Sequence, residues 1–137
     1  MIGNMIGNRI RGLAALAALA TLLFAVPATV VPAIAAPFDG AWKMSMVTTD
    51  GHCGVISVGL AIRGGKISSI SGKFVMRPIQ INGVVSGSGS AKMNGVAGPR
   101  KAAGNGRFTR TKGKGSWDGV GPSGVCSGYW IAVPVRS

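Results

Sequence analysis

Glycine recurs in this chain in step with aromatic rings, and that spacing limits the fold more than any other feature. Gly40-Ala41-Trp42, Gly72-Lys73-Phe74, Gly106-Arg107-Phe108, Gly115-Ser116-Trp117 and Gly128-Tyr129-Trp130 all read Gly-x-aromatic. Residues two apart share one face of a strand, so each motif sets a bare backbone position beside a large ring on one side of a sheet. Rings laid over glycines of a neighbouring strand fill such gaps. All but Gly3, Gly7 and Gly12 of the 23 glycines lie after Ala36, so the device belongs to the body of the chain and not to its start.

The same two-residue period extends the interior outward from these anchors. It predicts that Trp42, Met44 and Met46 face in from a first strand, Ile56, Val58, Leu60 and Ile62 from a second, and Ile70, Gly72, Phe74 and Met76 from a third. A fourth strand offers Val85, Gly87, Gly89, Ala91 and Met93. Ala102, Gly104, Gly106 and Phe108 follow, then Gly113, Gly115 and Trp117, and finally Cys126, Gly128, Trp130 and Ala132. Such alternation marks half-buried antiparallel strands. Asp50-Gly51, Arg63-Gly64-Gly65, Asn82-Gly83, Asn94-Gly95 and the stretch from Asp118 to Gly124 are competent to turn, whereas Asn105-Gly106 falls where the pattern wants strand. Seven or eight short strands in succession predict an all-β fold, an up-and-down antiparallel barrel, with a two-sheet sandwich as its rival.

The first residues point to a compartment. Arg9 and Arg11, with no acid nearby, precede an apolar run from Leu13 to Val26; Pro27 and Pro32 follow, and then Ala33-Ile34-Ala35. This is the layout of a secretory signal peptide spanning residues 1–35, an N-terminal signal helix cut near Ala35 or Ala36. It leaves 36–137 as one Gly-rich β domain bound for the periplasm or the medium. Uncut, the stretch from Leu13 to Ala36 is long enough to anchor in a bilayer, and a membrane is expected only by that route. In an oxidising space the two cysteines, Cys53 and Cys126, read as a bridge. Its loop-closure entropy is worth roughly 4 kcal/mol. On the strand phase above, Cys53 falls on the face opposite Ile56, so the bridge requires a bulge near Gly54 or a later strand start.

Charge bounds the function. The net formal charge is +12, with three acids against 15 Lys and Arg. Each acid precedes a glycine, in Asp39-Gly40, Asp50-Gly51 and Asp118-Gly119, so all three read as turn punctuation. No paired carboxylates, no Cys-x-x-Cys and no phosphate-loop spacing are present, and His52 is the one histidine. An enzyme is the least supported class, and neither a cofactor nor a metal is called for. Lys43, Lys73, Arg100, Lys101, Arg107, Arg110, Lys112 and Lys114 form a basic outer set suited to anionic polysaccharide or lipopolysaccharide. The same cations would also keep strand edges from pairing. Nucleic acid is disfavoured by the export signal and by the lack of outward aromatics among the basic positions. The alternative is a barrel whose interior, with Trp42, Met44, Phe74, Phe108, Trp117 and Trp130, holds a small apolar ligand, or one that inserts a loop into a partner enzyme.

Phe38-Asp39-Gly40-Ala41-Trp42, Asp50-Gly51-His52-Cys53, the glycines around Trp117 and Cys126-Ser127-Gly128-Tyr129-Trp130 together resemble a group of small exported proteins of Gram-negative bacteria. Those share the order Phe-Asp-Gly-x-Trp, an early Cys, Gly-x-Gly-x-Trp and Cys-Ser-Gly-x-Trp. The resemblance spans almost all of the chain after Ala36 and implies the architecture and the disulfide, with no activity attached. At the level of fold the pattern is similar to barrels of the avidin, lipocalin and bacterial metalloprotease-inhibitor kinds. No inhibitory N-terminal segment or ligand-binding polar set matches them residue by residue.

Overall fold

The computed structural model describes residues 20–28 and 36–136. The stretch 20–28 belongs to a separate unit of the chain and holds no helix or strand. The rest of the expected signal segment, with its signal helix and the cleavage site at Ala35, lies outside the described residues. Among the described residues no helix is long and apolar enough to cross a membrane.

From Gly40 onward the chain is all β. Its strands are β1 (Gly40–Asp50), β2 (Val55–Arg63), β3 (Lys66–Ser71), β4 (Lys73–Phe74), β5 (Arg77–Pro78), β6 (Gln80–Val85), β7 (Ser90–Ala97), β8 (Arg100–Phe108), β9 (Gly113–Gly121) and β10 (Gly124–Pro134). Eight of them close into an antiparallel barrel in the order β1-β10-β9-β8-β7-β6-β3-β2, while β4 and β5 form a separate two-stranded flap between β3 and β6. The barrel therefore follows chain order around its circumference, as an up-and-down meander does, and the sandwich is excluded. Closure leaves no free edge in the main sheet.

Local chemistry sets the turns. Gly64 and Gly65 both take positive φ, at +55° and +80°, and join Arg63 to its partner Lys66 in a two-residue hairpin. Two other expected turns are strand instead. Asn82 sits directly opposite Asn94, Gly83 opposite Met93, and Ile81 opposite Gly95. Neither Gly83 nor Gly95 has positive φ. A Cβ on Gly83 would lie 2.8 Å from Met93 Cγ, so this glycine serves close approach and not reversal. The real reversal is at residues 86–89, which splits the expected fourth strand into β6 and β7 and brings in Ile81, absent from the predicted interior.

The third strand departs from its predicted phase. Ile67 is buried, whereas Ile70 is 62% and Met76 89% exposed. The register of β2 against β3 shifts between Gly59 and Leu60, which exchanges inward and outward faces near the end of β3. At Gly72, with φ +126°, the chain leaves the barrel for the flap. Elsewhere the predicted inward residues hold: Trp42, Met44, Met46, Ile56, Val58, Leu60, Ile62, Ala91, Met93, Phe108, Trp117, Trp130 and Ala132 are buried.

One end of the barrel is sealed by aromatics. The Phe108 ring lies 5.0 Å from Trp42, edge to face, 5.4 Å from Trp130 and 6.3 Å from Phe38. Trp42 Nε1–H donates to Phe38 O at 2.9 Å, and the Asp39 carboxylate accepts from Gly64 N–H at 2.9 Å. Phe38 and Asp39, just before β1, thus plug the bottom of the barrel. Above it, the Trp130 indole lies across bare backbone: a Cβ would fall 2.6 Å from the ring at Gly106, 3.0 Å at Gly113 and 2.6 Å at Gly115. Gly115→Ala should therefore cost about 1–3 kcal/mol by overpacking, since the new methyl meets Trp130, the Gly106 backbone and the Asn105 carbonyl. Gly87→Ala, with nothing within 4 Å, should stay within about 0.5 kcal/mol of the parent; urea midpoints of the two variants check the contrast.

Candidate functional site at the open end of the barrel

The opposite end carries the β1–β2 turn, the flap, and the turns joining β7 to β8 and β9 to β10. Here the interior is not filled. A cavity of about 90 Å³ is walled by Met44, Met46, Ile56, Met93, Trp117 and Trp130, with Phe74 and Ile79 of the flap region beside it. Most of its apolar surface comes from inward positions of the period-two pattern, with Asn94, Arg100, Lys101 and Ser123 also bordering it. Of the six residues expected in the interior or along a ligand chamber, Met44, Phe74, Trp117 and Trp130 border this cavity, and Trp42 and Phe108 are buried at the sealed end. Ile79 and Ile81 were missed, although their two-residue spacing across Gln80 is itself a strand signal.

The indole nitrogens differ in a way that matters. Trp42 Nε1–H is satisfied at the plug, and Trp117 Nε1–H donates to Val47 O at 3.3 Å. Trp130 is buried, and its Nε1 has no acceptor among the described residues. Its six-membered ring lies toward Gly106 and Gly113, while Nε1 lies against Gly115, where a Cβ would fall 2.6 Å from it, and farther from Gly104, a cavity-lining position, at 3.6 Å. A buried N–H without an acceptor is rare in folded proteins.

The rim is pinned by covalent and polar links. Cys53 and Cys126 are bonded, with Cα atoms 6.2 Å apart, and both border the cavity. Cys53 precedes β2, whose first residue is Val55, and Gly54 has φ +67°, so the phase conflict resolves through the later strand start. Such a bond belongs to an oxidising compartment. At the flap base, the Ser69 hydroxyl accepts from Ile81 N–H at 2.8 Å and donates to Ile79 O at 3.0 Å. The Arg100 guanidinium stands 5.4 Å over the Phe74 ring, a cation–π contact between the mouth and the flap.

Arg100 is thereby separated from the rest of the basic set, being half-buried at the mouth. Lys43, Lys73, Lys101, Arg107, Arg110, Lys112 and Lys114 are exposed, as expected, but they do not form one stripe. Arg107 and Lys114 are directly opposed across β8 and β9, with Arg110 and Lys112 in the turn that joins them. Lys101 lies toward the other end of β8, Lys73 on the flap, and Lys43 opposite Val133 on β10. Like charges facing each other across a sheet oppose pairing, and among the described residues no carboxylate forms an ion pair with either. Tyr129 also points outward beside this group, bordering a shallow depression with Arg107, Lys112, Lys114 and Ile131, contrary to the expectation that no aromatic accompanies the basic positions.

No protein-family model matches the chain, and no curated protein does. Among solved structures it is similar to EF1p2_mFAP2b bound to DFHBI, at 15% identity and a TM-score of 0.54, over 72% of this chain and 94% of that one. The likeness is one of fold, a closed barrel. For the bridge, Cys53→Ala with Cys126→Ala should lower stability by up to about 4 kcal/mol, read as a fall in urea midpoint that reductant reproduces in the parent and leaves unchanged in the double variant.

Proposed function

We propose that this protein is a non-catalytic barrel that holds a small apolar molecule at its open end, acting in the periplasm or outside the cell after export. The cavity carries this proposal: a largely apolar chamber persists at this end of the barrel, whereas Phe38, Trp42 and Phe108 close the other. The barrel it resembles in solved form is bound to DFHBI, which supports a chamber of this architecture as a ligand site. The export signal, the disulfide and the resemblance to small exported Gram-negative proteins support the compartment.

Trp130 narrows the chemistry. A water at Nε1 would need two to four polar partners, whereas the cavity that Trp130 borders is lined largely by apolar side chains, Met44, Met46, Ile56, Met93 and Trp117 among them. A ligand atom that accepts a hydrogen bond answers the same need. A carboxylate would be buried there against a single N–H, at high cost, and Arg100, at the mouth, already stands over the Phe74 ring. The favoured ligand is therefore slender, neutral and apolar, entering with a ketone, aldehyde or ester oxygen first. A volume of about 90 Å³ is less than that of engineered cavities that admit benzene, so the remainder of such a molecule would lie in the mouth against Phe74 and Ile79.

Titration with 2-heptanone and with its carbon isostere 2-methyl-1-heptene tests both parts. The ketone should move the Trp130 indole N–H resonance downfield, and Trp130→Phe should reduce the ketone-to-alkene affinity ratio by about three- to tenfold. If neither compound binds, the ligand function is wrong; equal ratios in parent and variant would remove the hydrogen bond alone.

A second function rests on the opposed Arg107 and Lys114 with Arg110 and Lys112: attachment to anionic polysaccharide or lipopolysaccharide on the outer face. Two cations held together without a counter-ion release bound salt ions when a polyanion replaces them, so attachment would be salt-sensitive. Arg107→Ser with Lys114→Ser should elute from immobilised heparin at clearly lower salt than Lys43→Ser with Lys73→Ser, which removes the same charge from separated sites, and equal elution of the two would refute a defined patch.

A further inference from the structure

The flap is built against its own turn chemistry. Between Phe74 and its partner Arg77, the two turn residues Val75 and Met76 both take positive φ, at 48° and 64°. Two-residue hairpins of this kind call for Asn-Gly or Gly-Gly, and a β-branched residue in the left-handed region is strained. Val75 and Met76 are also 57% and 89% exposed. A sequence that needed only the reversal would gain stability from almost any polar pair here. Two large apolar side chains held outward at a strained tip suit contact with something apolar.

What surrounds the tip indicates what that is. Lys73 and Arg77 flank it, both exposed, and Arg100 covers the Phe74 ring at its base. On the outer face at the same end, Val96, Lys101, Val120 and Val125 face one another in register across β7, β8, β9 and β10, and the three valines are exposed. Between Asp50 and Asp118 the sequence holds no acid, so the flap and β2 to β8 carry none, and the acids toward this end are Asp50, at the end of β1, and Asp118, on β9. Apolar side chains at a tip with Lys and Arg at their base match the interface of an anionic bilayer: the apolar groups enter the headgroup boundary while the cations stay with the phosphates.

We propose that the open end of the barrel docks, flap first, on an anionic lipid surface, with Val75 and Met76 inserted and Lys73, Arg77 and Lys101 on the headgroups. This contact is separate from the apolar N-terminal run and stands on the flap, not on the cavity. The test is amide hydrogen exchange of the full chain with phosphatidylcholine vesicles, with and without phosphatidylglycerol, read at residues 73–77 so that attachment through the N-terminal run does not count. Exchange there should slow about tenfold with the anionic vesicles only, in keeping with a few basic residues near the surface plus apolar insertion. Val75→Asn with Met76→Gly should abolish that protection while raising the urea midpoint, because the turn is then unstrained. A merely structural tip would show the stabilisation without any lipid protection to lose. Protection that is absent, equal on both vesicles, or retained by the double variant would overturn the assignment, and an unprotected flap would point to a protein partner instead.

Discussion

The close approach of Trp130 to the bare backbones of β8 and β9 is the contact on which the rest of this barrel depends. An eight-stranded barrel has an interior just wide enough for side chains to fill, and one indole laid across Gly106, Gly113 and Gly115 occupies the space that three ordinary side chains would contest. The glycines weaken their strands intrinsically, since each loses more backbone freedom on folding than another residue would. Burial of the indole and its contact with Phe108 offset that loss. Phe108 in turn meets Trp42 and Phe38, so the plug that seals one end is keyed to the same ring.

This dependence explains what was legible in the sequence. Period two, anchored on the aromatics, identified the inward faces of β1, β2, β8, β9 and β10, because the residues from Trp42 to Met46, Ile56 to Ile62, Gly104 to Phe108, Gly113 to Trp117 and Cys126 to Ala132 keep one phase. Asn82-Gly83 and Asn94-Gly95 misled, because a glycine that permits close approach and a glycine that permits positive φ are the same letter. Only pairing partners tell them apart, and Gly83 against Met93 is visible only once β6 and β7 lie side by side. The phase of β3 was lost at the register shift beside Gly59 and Leu60, a property of two strands together that neither sequence states alone.

The candidate site was half legible for the same reason. Met44, Trp117 and Trp130 could be placed inside, yet alternation says nothing about height along the barrel axis, so Trp42 and Phe108 could not be told from cavity walls. Height comes from register: Trp42 pairs with Leu60 and Pro134 near one end, while Met46 pairs with Ile56 and Trp130 farther up. The basic residues show the parallel loss. Their outward direction was readable, but whether two of them face each other or lie at opposite ends was not, and Arg107 against Lys114 differs in consequence from Arg107 and Lys101 along one strand.

Departures from self-consistency are concentrated at one end of the molecule. The plugged end has satisfied donors, stacked rings and a glycine turn suited to its geometry. The open end holds Thr48 Oγ1 buried without a partner, an irregularity in β1 between Thr48 and Asp50, two apolar residues at positive φ, and the disulfide, while Trp130 Nε1 is unpartnered in the barrel between the two ends. Random imperfection would scatter, whereas natural sequences relax their local rules chiefly where function imposes another demand. The bridge fits that division: it ties the β1–β2 turn to β10 at the end where packing is incomplete, holding the mouth in shape without filling it. A rigid rim, an apolar chamber behind it and a strained apolar tip beside it are features that stability alone would have removed, which is why the open end, and not the basic wall, is where the chemistry of this protein should be sought first.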